Sequence, residues 1–277
     1  MVLSWRRRLK SKHYFSLIYH DLFDYPLSIG DLERWVTTKK FTLKKIPKIE
    51  HKNGYLFLKG RENTLLLRKK REKNYQAKLQ IAKKASLVMG LIPFVRGVFL
   101  TGALAMQNAD ENSDIDFMVI TSRNCLWTTR LLTYLLFYLA GIQFRRFSNT
   151  NQKDKICLNI WLDESTLAWD KRQRNVYTAH EIAQVIPLVN RDKIYERFIW
   201  KNKWIRNYWP NAVKVMKPKT QNTTPYPLTA IFETLARKLQ FLYMRRKKTV
   251  EVISESRAIF HPVDRSKQII SLLEKYA

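Results

Sequence analysis

The chain has 277 residues, 45% of them apolar and 13% aromatic, and 51 Lys and Arg against 23 Asp and Glu give it a net charge of +28. That length can bury a substantial core and suits one to three domains, and the apolar content excludes a disordered chain despite the charge. Two cysteines, Cys125 and Cys157, stand in no ligand-type spacing, which excludes a disulfide framework and a structural zinc site and points to a reducing, cytoplasmic setting.

The charge is unevenly placed. Lys and Arg against Asp and Glu number 23 to 7 over residues 1–100, 12 to 11 over 101–200 and 16 to 5 over 201–277, so two basic flanks (+16 and +11) enclose a middle of +1. Such flanks attract polyanions through counterion release, making nucleic acid the expected partner and an anionic lipid surface the alternative. The longest apolar run, Leu131 to Ile142, is shorter than the roughly 20 residues a membrane span needs. The basic N-terminus leads into no long apolar stretch, so no signal peptide is expected.

In chain order, residues 1–60 read as a winged-helix-like module. A helix is expected from His13 to Phe23, broken by Asp24-Tyr25-Pro26. A second starts at Ser28, with Asp31 in the capping-box position, and a third lies within Thr42 to Glu50. Asn53-Gly54 then signals a type I′ hairpin turn into a strand at Tyr55 to Leu58. Lys39, Lys40, Lys44, Lys45 and Lys48 suit DNA contact, or the module packs on the rest of the chain. Residues 61–90 form a connecting basic helix whose Arg68–Lys73 run is either a phosphate rail or a solvated face.

Residues 91–165 carry the chemistry. A strand from Val95 to Thr101 ends at Gly102, Ala103 to Asn108 makes a short helix or turn, and a second strand runs from Ile115 to Thr121. On it Asp114, Asp116, Met118 and Ile120 share one face, with Ile115, Phe117 and Val119 on the other. Apolar groups on both faces mark a buried central strand that is acidic at its leading end alone. A covering helix is expected at Leu126 to Ala140 and strands at Ile142 to Phe147 and Ile156 to Asp163. Residues 166–277 read as a helical C-terminal region, helical from Asn175 to Trp209 with a linker at 217–227. Its aromatic run from Tyr195 to Tyr208 suits core packing or stacking on a base. His180 reads as an ordinary helix residue, since position 184 is Gln and no second ligand completes a zinc-protease motif.

Aspartates at i and i+2 on one strand face can share a divalent cation, and a glycine turn after a strand lets backbone N–H groups approach a phosphate. Gly102 followed by Ser113-Asp114-Ile115-Asp116-Phe117 resembles the signature of the polymerase β-like nucleotidyltransferases. The resemblance implies an α+β fold with a small mixed sheet and transfer of a nucleoside monophosphate from an NTP to a hydroxyl. It assigns Asp114 and Asp116 to Mg²⁺ or Mn²⁺, and Thr101, Gly102, Ala103, Ser113 and Asn159 to the nucleotide. A third carboxylate is expected on the strand at 156–163, where Asn159 holds the mid-strand position and Asp163 is the available acid. Ala103 stands where the family has Ser. The alternative is a nucleotidyltransferase-fold protein without catalysis that binds nucleic acid.

Overall fold

The computed structural model describes residues 12–38, 48–145, 151–218, 229–244, 252–260 and 265–275. The chain opens with α1 (Lys12–Asp21), β1 (Leu27–Ser28), α2 (Ile29–Trp35), β2 (Ile49–Lys52) and β3 (Tyr55–Leu58), the strands forming a small antiparallel sheet in the order β1-β3-β2. Asn53 and Gly54 both take positive φ (52° and 82°), as the I′ turn requires. The capping box at α2 is complete. Asp31 N–H donates to Ser28 Oγ and Ser28 N–H to the Asp31 carboxylate, both at 3.1 Å, so the shorter acid does the work of Glu or Gln. Of the helix expected within Thr42 to Glu50, Ile49 and Glu50 belong to β2; residues 39–47, with four of the five lysines, lie outside the described residues.

The 28-residue α3 (Asn63–Gly90) leads into the main domain. There follow β4 (Val95–Leu100), α4 (Gly102–Ala105), β5 (Ile115–Thr121), α5 (Leu126–Leu139), β6 (Ile156–Asp163), α6 (Val176–Ala183), β7 (Ile186–Asn190), α7 (Ile194–Lys201), α8 (Thr229–Met244), β8 (Val252–Ile253), β9 (Arg257–Ile259) and α9 (Arg265–Lys275). One six-stranded sheet runs β7-β4-β5-β6-β9-β8, and within it only β5 and β6 pair in parallel. The class is α+β.

Three expectations are corrected. Of the strand expected at Ile142 to Phe147, residues 142–145 make only an isolated bridge, Phe144 to Ile156, and residues 146 and 147 lie outside the described residues. Ile186–Asn190, inside the stretch expected to be helical, is the edge strand beside β4; its Pro187 is acceptable at an edge because no further strand needs its missing N–H. The C-terminal region is not purely helical, since β7, β8 and β9 all belong to the main sheet, and a boundary at 165 cuts across it. Long-range pairing of short segments overrides local periodicity here.

The alternation along β5 is as expected. Met118 and Ile120 join a core with Phe99, Ile160, α6, α7 and the N-terminal module, while Ile115, Phe117 and Val119 join another with α3, α5 and α8. The N-terminal module is thus packed onto one face of the sheet. Much of the basic α3 is also used internally. Buried Arg68 stacks 3.8 Å over the Tyr25 ring and pairs with Glu72, and Arg71 donates to the carbonyls of Phe23 and Asp24. Lys69, Lys70 and Lys73 remain exposed, so the basic run serves as a phosphate rail on one side at most.

The seam between module and sheet is built on two buried imidazoles. His20 Nδ1 lies 2.7 Å from the Ser16 carbonyl, which can only accept, so His20 Nε2 is the acceptor for His180 Nε2–H at 3.2 Å. Trp35 stacks on His180 at 3.9 Å and Trp209 meets it edge-on. Burial lowers both pKa values, that of His20 to about 4. The unfolded chain therefore takes up protons that the fold refuses, and stability complete above the unfolded value of about 6.5 is lost as pH falls toward 4. Urea denaturation should show a loss on the order of 3 kcal/mol from His20 alone between pH 7 and 4. An acid limb equally steep in His20→Gln and in the parent chain would refute this origin.

Candidate functional site

The site forms where β4 ends against β5. Thr101, buried, donates its N–H to the Asp116 carbonyl at 2.9 Å, and the chain turns at Gly102 with φ +63°. A Cβ at Gly102 would lie 2.4 Å from Asp116 Oδ2. The turn therefore passes directly over the carboxylate, and both its conformation and its closeness require glycine. The following loop is pinned by Lys78 of α3, whose ammonium donates to the carbonyls of Glu111 and Ser113 (3.0 and 2.8 Å) and pairs with Asp154 at 2.6 Å. Asn108 ties the same loop to the Phe23 carbonyl at 3.0 Å.

Asp114, Asp116 and the Cys157 thiol present ligand atoms within 4.8 Å of one another. Asn159 Nδ2 donates to Asp116 Oδ1 at 2.8 Å, and its own Oδ1 is buried without a partner among the described residues. Asn159 is the extra residue of a bulge, where the β5–β6 register steps from Phe117–Leu158 to Met118–Ile160. Arg145, set beside β6 by the Phe144 bridge, pairs with Asp114 at 2.9 Å and reaches Cys157 Sγ at 3.9 Å. Burial, then the charge of Asp114, pushes the Asp116 pKa up to about 7. Burial and the two acids raise the thiol above the usual range, so Cys157 stands as a neutral S–H.

One acid that sequence reasoning passed over belongs here. Glu181 on α6 has its pKa raised to about 7, first by burial and then by the charge of Asp116, and Arg265 at the start of α9 favours ionisation of both. Gln184 joins this acid to the turn, donating to Glu181 Oε1 at 2.9 Å and more weakly to the Gly102 carbonyl at 3.4 Å. Its signal in the sequence is faint: Glu181 and Gln184 are simply i and i+3 on a helix.

Other expected residues fall elsewhere. Asp163 is corrected: it pairs with Thr121 at the far end of β6, six residues or about 20 Å from Cys157. Its buried carboxylate accepts the N–H groups of Asn124 (2.6 Å) and Ser165 (2.7 Å) and anchors loops. Ser113 Oγ accepts from Asp110 N–H at 3.1 Å, and Ala103 is exposed on α4.

Two carboxylates and a thiol gathered this closely form a group that could hold a metal ion. No family model, no curated protein and no solved structure matches the chain.

Two of the left-handed glycines, Gly54 and Gly102, separate backbone strain from crowding. Gly54→Ala has nothing within 4 Å of the new methyl and should cost about 1 to 2 kcal/mol for its φ alone. Gly102→Ala adds the collision with Asp116, a further ~1–3 kcal/mol. Thermal unfolding of both variants checks the difference, and equal losses would show that Gly102 does not bear on the carboxylate.

Proposed function

We propose that this chain is a divalent-metal-dependent nucleotidyltransferase with a polymerase β-like domain behind a winged-helix module, moving a nucleoside monophosphate from an NTP to a hydroxyl. The observation that carries this reading is Asp116 lying directly beneath a glycine turn at a strand end, with the Asp114 carboxylate within 4.8 Å of it. Asp114 and Asp116 would hold magnesium or manganese, which when bound neutralises phosphate charge. Arg145 and Arg265 supply positive charge beside the acids for the triphosphate. In the transfer the acceptor oxygen bonds to the α-phosphorus, the bond from that phosphorus to the bridging oxygen breaks, and pyrophosphate leaves with the electron pair. The acceptor's proton needs a carboxylate. With Asp163 remote, Glu181 is the acid poised near neutrality beside Asp116.

A second reading, a non-catalytic member that binds nucleic acid, is favoured by the amide of Asn159 in the mid-strand position and by Arg145 already neutralising Asp114.

Asp116→Asn separates the two. NTP turnover with Mg²⁺ or Mn²⁺ should fall about hundredfold or more, and Mn²⁺ binding followed by electron paramagnetic resonance should weaken in parallel. Turnover indifferent to this change would remove the catalytic reading. Absence of any turnover in the parent chain, with nucleic acid bound normally, would support the second.

A further inference from the structure

The last turn of α7 and the 3-10 segment Lys203–Asn207 build a second, chemically different concavity. A groove of about 620 Å³ opens among Arg174, Trp200, Lys201, Lys203, Trp204 and Arg206, and no carboxylate lines it. Its floor is fixed. Trp204, 9% exposed, donates its indole N–H to Asn202 Oδ1 at 3.2 Å and meets Tyr208 edge-on. Asn202 is itself fully buried, donating to the carbonyls of Leu167 (2.8 Å) and Phe198 (3.0 Å) and accepting from Trp169 N–H. Arg174, braced on the Trp169 carbonyl, lies 5.2 Å from the Trp204 ring centroid, and the Lys203 ammonium 4.8 Å from that of Trp200. Lys201, Lys203 and Arg206 are exposed and form no ion pair among the described residues.

Four cations around one hollow repel one another, and no carboxylate in the groove lining neutralises them. Their arrangement is matched by a polyanion whose charges are spaced along a chain. The indoles narrow the choice. A flat anionic bilayer cannot reach the floor of a concave groove, and an acidic peptide would satisfy the cations while leaving Trp200 and Trp204 without a matching surface. A strand of unpaired nucleotides offers both phosphates for the cations and base faces for the indoles, and duplex bases stay stacked on one another. We infer that this groove binds single-stranded nucleic acid, with phosphates on Lys201, Lys203 and Arg206 and a base against Trp200. The inference does not rest on the chemistry at Asp114 and Asp116.

The test is fluorescence anisotropy of the full chain with labelled oligo-dT and oligo-U over a range of salt. Changing Lys201, Lys203 and Arg206 together to Ala should reduce the slope of log affinity against log salt by about 2, at roughly 0.7 for each phosphate left without its cation. Trp200→Ala should weaken binding about tenfold to hundredfold with the slope kept, and Trp200→Phe should restore most of the loss. Asp116→Asn should bind like the parent chain, so a failure of the catalytic reading leaves this result intact. Circular dichroism and the thermal midpoint confirm that each variant folds. An equal loss on changing the exposed Lys69, Lys70 and Lys73 of α3 to Ala would overturn the inference in favour of undirected charge. Tighter binding of poly-glutamate, indifferent to Trp200, or of anionic vesicles would overturn it in favour of an acidic partner or a lipid surface.

Discussion

The fold is organised around a carboxylate in a place where a carboxylate is costly. Asp116 lies near the leading edge of the central strand, between the Gly102 turn, the Cys157 thiol and the Asn159 amide, where burial and then the charge of Asp114 disfavour its ionised form. Several features of the surrounding chain follow from that single placement. Residue 102 has no room for a side chain, the preceding Thr101 is tied to the backbone of Asp116, and Lys78 commits a buried ammonium to holding the loop that delivers the strand. A structure that needed only a strand and a turn at this point would have no use for the acid, and an apolar residue would serve it better.

The two faces of the sheet divide the labour. One, covered by α3, α5 and α8, is apolar packing; Glu233 of α8 caps α5 by accepting the N–H groups of Trp127 and Thr128, both at 2.8 Å. The other carries the acids and is shared by the N-terminal module and α6. On α6 the neighbours His180 and Glu181 point to different tasks. The first closes the aromatic seam with His20 and Trp35, and the second faces the field of Asp116. The module and the acid pocket therefore share a helix, and the seam holds that helix in place.

What is legible in the sequence is whatever depends on near neighbours along the chain. The I′ turn at Asn53-Gly54, the capping box of Ser28 and Asp31 and the two-sided burial of β5 are all set by residues within a few positions of one another or by simple alternation. What escapes it depends on pairing across distance. Ile186–Asn190 lies between two helical stretches, and it is a strand because β4 has an open edge for its β-branched Ile186 and Val189 to pair along. Asp163 and Asn159 share an expected strand face, yet the bulge and the length of β6 leave one against Asp116 and the other capping loops at the opposite end. Glu181 is invisible as a site residue because nothing in a helix sequence says which remote strand it will face.

The position of β7 also governs when the pocket can exist during synthesis. Chains emerge N-terminus first, and β4 and β5 leave the ribosome long before the strand that flanks β4 and the α6 helix that brings Glu181. Until then Asp116 sits on an incomplete sheet with an open edge, and β6 must wait longer still for β9. The acid strand is thus made early and enclosed late. Termination after β5 but before β7 leaves the outer edge of β4 uncovered.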